Sequence, residues 1–148
     1  KETLVILKKF GIPYEITVAS AHRTPERAAL FASTARERGV KVIIAAAGQA
    51  AHLAGAMAAQ STLPIIGVPI DSSSLNGLDA LLSTVQMPPG VPVATVAIGK
   101  PGATNAGILA AQIISIADPK IENYLAEYKE DMAKSVIKKA AALEAKLK

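Results

Sequence analysis

The 148-residue sequence has no cysteine and no tryptophan, and only two histidines, two phenylalanines and three tyrosines. Without cysteine there is no disulfide scaffold, no thiolate-held zinc or iron–sulfur cluster and no thiol nucleophile. Two histidines are a poor basis for a metal site, and none is expected. Long apolar runs are missing too. Hydrophobic residues make up 51% of the chain and the mean hydropathy is +0.34, yet no run reaches the ~18 residues that a membrane span needs. The first residues, Lys1-Glu2-Thr3, lack the basic-then-apolar-then-small order of a secretory signal. A cytoplasmic chain is the expectation. Charge is scarce in the middle: residues 42–117 carry only Asp71, Asp79 and Lys100.

What the chain does have is alanine, 29 in all. A core of small aliphatic side chains lets backbones approach closely, and the length fits one domain, residues 1–148. Residues 1–117 read as its sheet-and-helix core and 118–148 as a C-terminal helix. The net charge of +4 comes from the ends. Residues 1–41 hold eight basic and four acidic side chains, and residues 118–148 hold seven and six. No basic cluster is interleaved with aromatics that could stack on bases, so nucleic acid is not the expected partner. A chain this small cannot hide 76 residues with three charges inside one subunit. A symmetric homo-oligomer is expected.

Helical and strand patterns alternate. Residues 2–10 read as a helix stopped by Gly11 and Pro13. Segments 14–19, 41–47, 64–70 and 91–98 read as four strands. Helices are expected over 25–38, with Thr24 as N-cap and Pro25 at the first position, and over 50–60, 75–85 and 104–116. This order predicts an α/β three-layer sandwich with a parallel sheet covered on both faces. From Asp118 and Pro119 onward no helix breaker occurs. Apolar side chains recur from Ile121 through Leu125, Tyr128, Met132 and Val136 to Leu147, a narrow seam on a charged helix that overhangs its own subunit. A parallel α/β chain normally begins with a strand, whereas this one begins in a helix; the expectation is that a preceding strand is missing.

Ligands of open parallel sheets bind beyond the carboxyl ends of the strands, where four loops fall. The first, Ser20-Ala21-His22-Arg23-Thr24-Pro25, places a hydroxyl, an imidazole and a guanidinium before a helix N-terminus. That suits an anion, with His22 available for proton transfer near neutral pH. A capping loop with a surface histidine and arginine is the equal alternative. The second loop, from Gly48 through Ala50 to His52 and Leu53, is small-residue backbone with a histidine that spacing alone makes structural rather than catalytic. The third, with Ser72 and Asn76, offers hydroxyls for ribose or phosphate, or simply caps. The fourth holds Lys100. Neither a Walker A pattern, nor GxGxxG, nor a Gly-x-Ser-x-Gly elbow occurs.

Taken in order, Ser20-Ala21-His22-Arg23-Thr24-Pro25, Ala50-Ala51-His52-Leu53, Leu75-Asn76-Gly77-Leu78-Asp79, Val85-Gln86-Met87-Pro88 and Ala97-Ile98-Gly99-Lys100 through Asn105-Ala106-Gly107 resemble the PurE family, the N5-carboxyaminoimidazole ribonucleotide mutases of purine biosynthesis. The resemblance implies a flavodoxin-like fold, an octamer, a phosphorylated ribonucleotide substrate, and no metal, organic cofactor or ATP. It implies His22 as general acid and base, with Ser20 and Arg23 binding substrate, Arg23 towards the phosphate. It also implies Gly48, Ala50, His52 and Leu53 as pocket wall, with Ser72 and Asn76 binding substrate. The Ala-Ala-His-Leu segment resembles the mutase class; a related class carboxylates aminoimidazole ribonucleotide with free CO2. A third possibility is a non-catalytic ribonucleotide- or phosphate-binding module. Three departures stand out. The family's first strand with its Gly-Ser-x-Ser-Asp loop has no match, Gln49 replaces a usual Gly, and Ala54 and Ala56 replace a usual Pro and Met.

Overall fold

Two apolar strands define the layers of the computed structural model, which describes residues 1–147. β1 (Ile43–Gly48) and β2 (Ile65–Ile70) run parallel, in register from Ile43 opposite Ile65 to Gly48 opposite Ile70. β3 (Ala94–Thr95) adds two parallel pairs on the far side of β2, giving the order β1-β2-β3. Successive side chains of a strand point to opposite faces. Ile43, Ala45 and Ile65 therefore pack on one face with Ala28 and Ala32 of α2 (Pro25–Ser33) and with Ala54 and Met57 of α3 (Leu53–Ala58). Ile44, Ile66, Val68 and Ile70 pack on the other with Ala106 and Ala110 of α5 (Gly99–Ser115). α4 (Leu78–Val85) brings Thr84 against Gly67 of β2. The architecture is a flavodoxin-like α/β sandwich.

Outside α5 lies a third cluster. α1 (Glu2–Lys9) contributes Ile6 and Leu7, which pack with Phe10, with Ala111 of α5 and with Ile121 of α6 (Pro119–Glu144). Gly11 takes a left-handed φ of +65°, and Ile12 N–H bonds back to Leu7 O, so the expected stop holds. Asp118 caps α6 through Oδ1, which accepts from Lys120 N at 3.0 Å and from Ile121 N at 3.4 Å. At ~1.5 Å per residue the 26 residues of α6 span about 39 Å. The proximal part of its seam docks through Ile121, Leu125 and Tyr128. The distal part, from Met132 on, is exposed, Val136 by 65%. The helix ends at Glu144, and Lys148 of the expected span lies outside the described residues.

Several boundaries differ from the sequence reading. The expected strand 14–19 pairs with no strand among the described residues; Ile16 is 69% and Val18 88% exposed. It is clamped to the α2 side instead. Arg27 Nε donates to Val18 O at 2.9 Å, and the Arg38 guanidinium forks onto the Glu15 carboxylate, 2.8 Å at the closest pair. An apolar pattern selects an extended chain, but a ladder needs a neighbouring strand, and α2 supplies side chains rather than one. The helix expected to run to Arg38 ends at Ser33: Thr34 N–H still reaches Leu30 O, whose oxygen the Ser33 and Thr34 hydroxyls also bond, and Ala35 N–H turns to Ala32 O in a tighter i→i−3 bond. The strand 91–98 shrinks to two paired residues, with Pro92 unable to donate. The helices expected from residues 50 and 75 begin at Leu53 and Leu78. α5 begins five residues before Thr104, with Pro101 in its first turn, where no N–H is needed. Gly102 allows this: a Cβ there would overlap the carbonyl oxygen of Ala97.

Candidate functional site

At the carboxyl end of β1 the chain turns into α3, and loop 19–24 folds over that turn. Between them opens a cavity of about 410 Å³. Ser20, His22 and Arg23 line it from one side, and Gly48, Ala50, His52 and Leu53 from the other. The two histidines, 30 residues apart, meet inside it: His22 Nε2 lies 2.8 Å from His52 Nδ1, with the rings at 85°. A bond between two imidazole nitrogens needs one donor and one acceptor, so this line carries a single proton and couples the tautomers of the two rings. His52, which spacing alone reads as structural rather than catalytic, is the partner of His22.

Ser20 organises the first loop. Its hydroxyl oxygen accepts from His22 N at 3.3 Å and from Arg23 N at 3.1 Å, which leaves its O–H free to donate. Those two N–H groups are therefore occupied, not open to an anion. Thr24 stands at the N-cap position of α2 but does not cap it; its hydroxyl accepts from Ser20 N at 2.8 Å. The loop is closed by its own hydroxyls, and its guanidinium is left over: among the described residues no side chain or carbonyl bonds the head of Arg23. It is the one cationic side chain on the cavity wall.

The second half of the site depends on a close approach. A Cβ on Gly48 would overlap Ser72 Oγ, so only glycine fits where the ends of β1 and β2 meet. Ser72 thus touches the back of the cavity wall without lining it. Asn76 stands apart in a left-handed turn (φ +51°) before α4. In that loop Ser73 Oγ donates to Asp79 Oδ1 at 2.8 Å and accepts from Leu75 N at 3.2 Å. Ser73 alone closes the third loop; among the described residues the side chains of Asp71, Ser72, Ser74 and Asn76 make no hydrogen bond, and Lys100 lies in the first turn of α5. Ala54 is buried in the core, and Ala56 faces a different cavity, about 470 Å³, between α2 and α3. Neither shapes the histidine cavity. Gln49 does, and it is a residue whose conformation the sequence does not reveal: it lines the cavity at φ +56°, a strain of roughly 1 kcal/mol for a residue with a Cβ. Among the described residues no three His, Asp or Glu side chains converge as a metal site, and no helix is long and apolar enough to cross a membrane.

A parallel sheet with this layer order and a site at its carboxyl edge places the chain in the flavodoxin-like α/β class. The chain belongs to the AIR carboxylase (PurE) family, which matches residues 1–135. It is 58% identical over 144 residues to the N5-carboxyaminoimidazole ribonucleotide mutase of Pyrococcus horikoshii, covering 97% of this chain and 80% of that protein. It is also 58% identical over 144 residues to the mutase of Thermotoga maritima, covering 83% of it. The crystal structure of Treponema denticola PurE superposes with a TM-score of 0.84 at 31% identity, over 96% of this chain and 87% of that one.

Proposed function

We propose that the chain is an isomerase of de novo purine biosynthesis that moves a carboxylate from the exocyclic nitrogen of N5-carboxyaminoimidazole ribonucleotide to C4 of the imidazole. The observation that carries this reading is the His22–His52 bond inside a cavity that Ser20, Arg23 and Gln49 share with a wall of alanine, glycine and leucine. His22 gives a proton to the carbamate nitrogen as the C–N bond breaks and CO2 leaves. The electron-rich ring carbon then attacks CO2, the new C–C bond forms, and His22 takes the proton displaced from that carbon. One proton goes out and one returns, so the step is a pure isomerisation. His52 fixes the ring plane and tautomer of His22 through their shared bond. Ala46, Ala47 and Ala50 offer CO2 no competing nucleophile while it is held. Arg23 takes the substrate's phosphate, and the free Ser20 O–H donates to the ligand.

The experiment is isomerisation of the N-carboxylated ribonucleotide by the wild-type chain and by His22→Asn. Turnover by the wild type, lost in the variant with folding intact, is the expected result; undiminished turnover by the variant overturns the assignment. A CO2-dependent carboxylase is the second reading, favoured by the family description as AIR carboxylase. Supplying aminoimidazole ribonucleotide and bicarbonate instead separates the two. Ribonucleotide binding by the wild type without turnover in either assay identifies a non-catalytic module.

The same reading makes the protein a cytoplasmic homo-oligomer, an octamer. It is supported by apolar faces left in water: Leu78, Leu82 and Val85 along α4, and Val136, Ile137 and Leu143 on distal α6. Light scattering tests it, and a monomer at micromolar concentration overturns it.

A further inference from the structure

Gln49 is one of two residues other than glycine held at positive φ, the other being Asn76. Asparagine tolerates this region because its short side chain bonds its own backbone; glutamine has no such remedy. Gly48 passes close against Ser72, and the reversal from β1 towards α3 falls on the next residue, Gln49. Glycine would make that reversal without strain, and the chain carries instead a long polar side chain on the wall of the histidine cavity. Among the described residues nothing in the protein bonds its carboxamide. Gln49 is exposed and strained on the wall of the cavity that holds the histidine pair, where a bound group can reach its carboxamide in place of water.

The chemistry of the cavity narrows what that group is. The reaction proposed above keeps a carboxyl unit in the site while it leaves nitrogen and arrives at carbon. A residue that holds it must donate a hydrogen bond without surrendering a proton, which would compete with His22. A primary amide does this, whereas an imidazole or a carboxylic acid would enter the proton traffic. We propose that the Gln49 side-chain N–H holds the migrating carboxylate. Gln49 is then the residue that distinguishes carboxylated from uncarboxylated ribonucleotide. This rests on the mutase reading of the same cavity.

Gln49→Ala and Gln49→Gly test it by titration calorimetry with two ligands: the C4-carboxylated product and aminoimidazole ribonucleotide, which lacks the carboxylate. Both variants are expected to bind the carboxylated ligand about tenfold more weakly, as for one lost charge-assisted hydrogen bond, and the uncarboxylated ligand unchanged. Gln49→Gly should also melt at a higher temperature than Gln49→Ala, reporting the relieved backbone. Equal weakening of both ligands, or none, overturns the assignment even when the wild type isomerises its substrate. A wild type that binds both ligands equally and turns over neither removes the mutase reading, and this inference with it.

Discussion

Loop 19–24 folds over loop 48–52 at the carboxyl edge of the sheet, beside loops 71–77 and 97–99, and all four are rich in small residues. The first two face each other across a cavity with imidazole, guanidinium and carboxamide groups turned into it. The last two are spent on each other and on their own helices. Ser73 bonds Asp79, Gly77 packs against Ile98 and Asp71, and Gly102 presses on Ala97. Position on the sheet does not make a site. What separates the pairs is whether the loops stand apart across a cavity or pack directly on each other. In the first loop Ser20 and Thr24 consume each other's backbone groups, and that internal closure is what leaves His22 and Arg23 free.

The largest effect expected on this comparison comes from the closed side. Gly102→Ala drives a methyl group into a backbone oxygen that cannot step aside, and should cost about 3 kcal/mol or more. Urea denaturation measures it, and a loss under about 1 kcal/mol would show the loop to be far softer than its packing implies. On the open side His52→Ala leaves His22 without its orienting partner. Turnover should fall roughly 10–100-fold, the range seen when the partner of a functional imidazole is removed, while the urea midpoint barely moves. Equal damage to turnover and stability would make His52 merely structural. Arg23→Ala should weaken binding of a phosphorylated ribonucleotide about tenfold. The wild-type contact should fade with added salt and the variant's residual binding should not; identical salt dependence of the two would place the phosphate elsewhere. The smallest effect belongs to Ser73→Ala, which removes one exchange of hydrogen bonds within the closed loop. A loss of about 1 kcal/mol in stability with unchanged turnover is expected, and a fall in turnover would move that loop into the site.

How much of this was legible in the sequence divides by range. Signals within a few residues carry over directly: Gly11 ends α1, Asp118 caps α6, and the continuous apolar runs at 41–47 and 64–70 become the parallel strands β1 and β2. The family resemblance carried by His22, Arg23 and Ala50-Ala51-His52-Leu53 also holds. Signals that depend on a partner did not carry. Segment 14–19 has a strand's apolar content, but pairing is a property of its neighbours. Thr24 has a cap's chemistry, but Ser20 N–H competes for its hydroxyl more closely than the helix does. The pairing of His22 with His52 needs β1 and its return turn to bring distant residues together, so spacing alone could not decide it. Gln49 is visible as an unusual residue, yet its positive φ belongs to the turn that leaves β1, which composition does not reveal.

The division of α6 at Tyr128 has a consequence for amide exchange. Up to that point the helix is anchored, with Tyr128 edge-on to Phe10 at 5.6 Å and under the Lys9 ammonium at 4.6 Å. Beyond it, residues 129–144 carry no packed neighbour in their own subunit. A stretch near 15 residues is marginal as an isolated helix. Its backbone protection in a lone subunit is therefore set by the helix–coil equilibrium, and drops by orders of magnitude within one turn of Tyr128. Slow deuterium uptake along 129–144 would mean that something outside the subunit covers them, and its dependence on protein concentration would say whether that cover is another copy of the same chain.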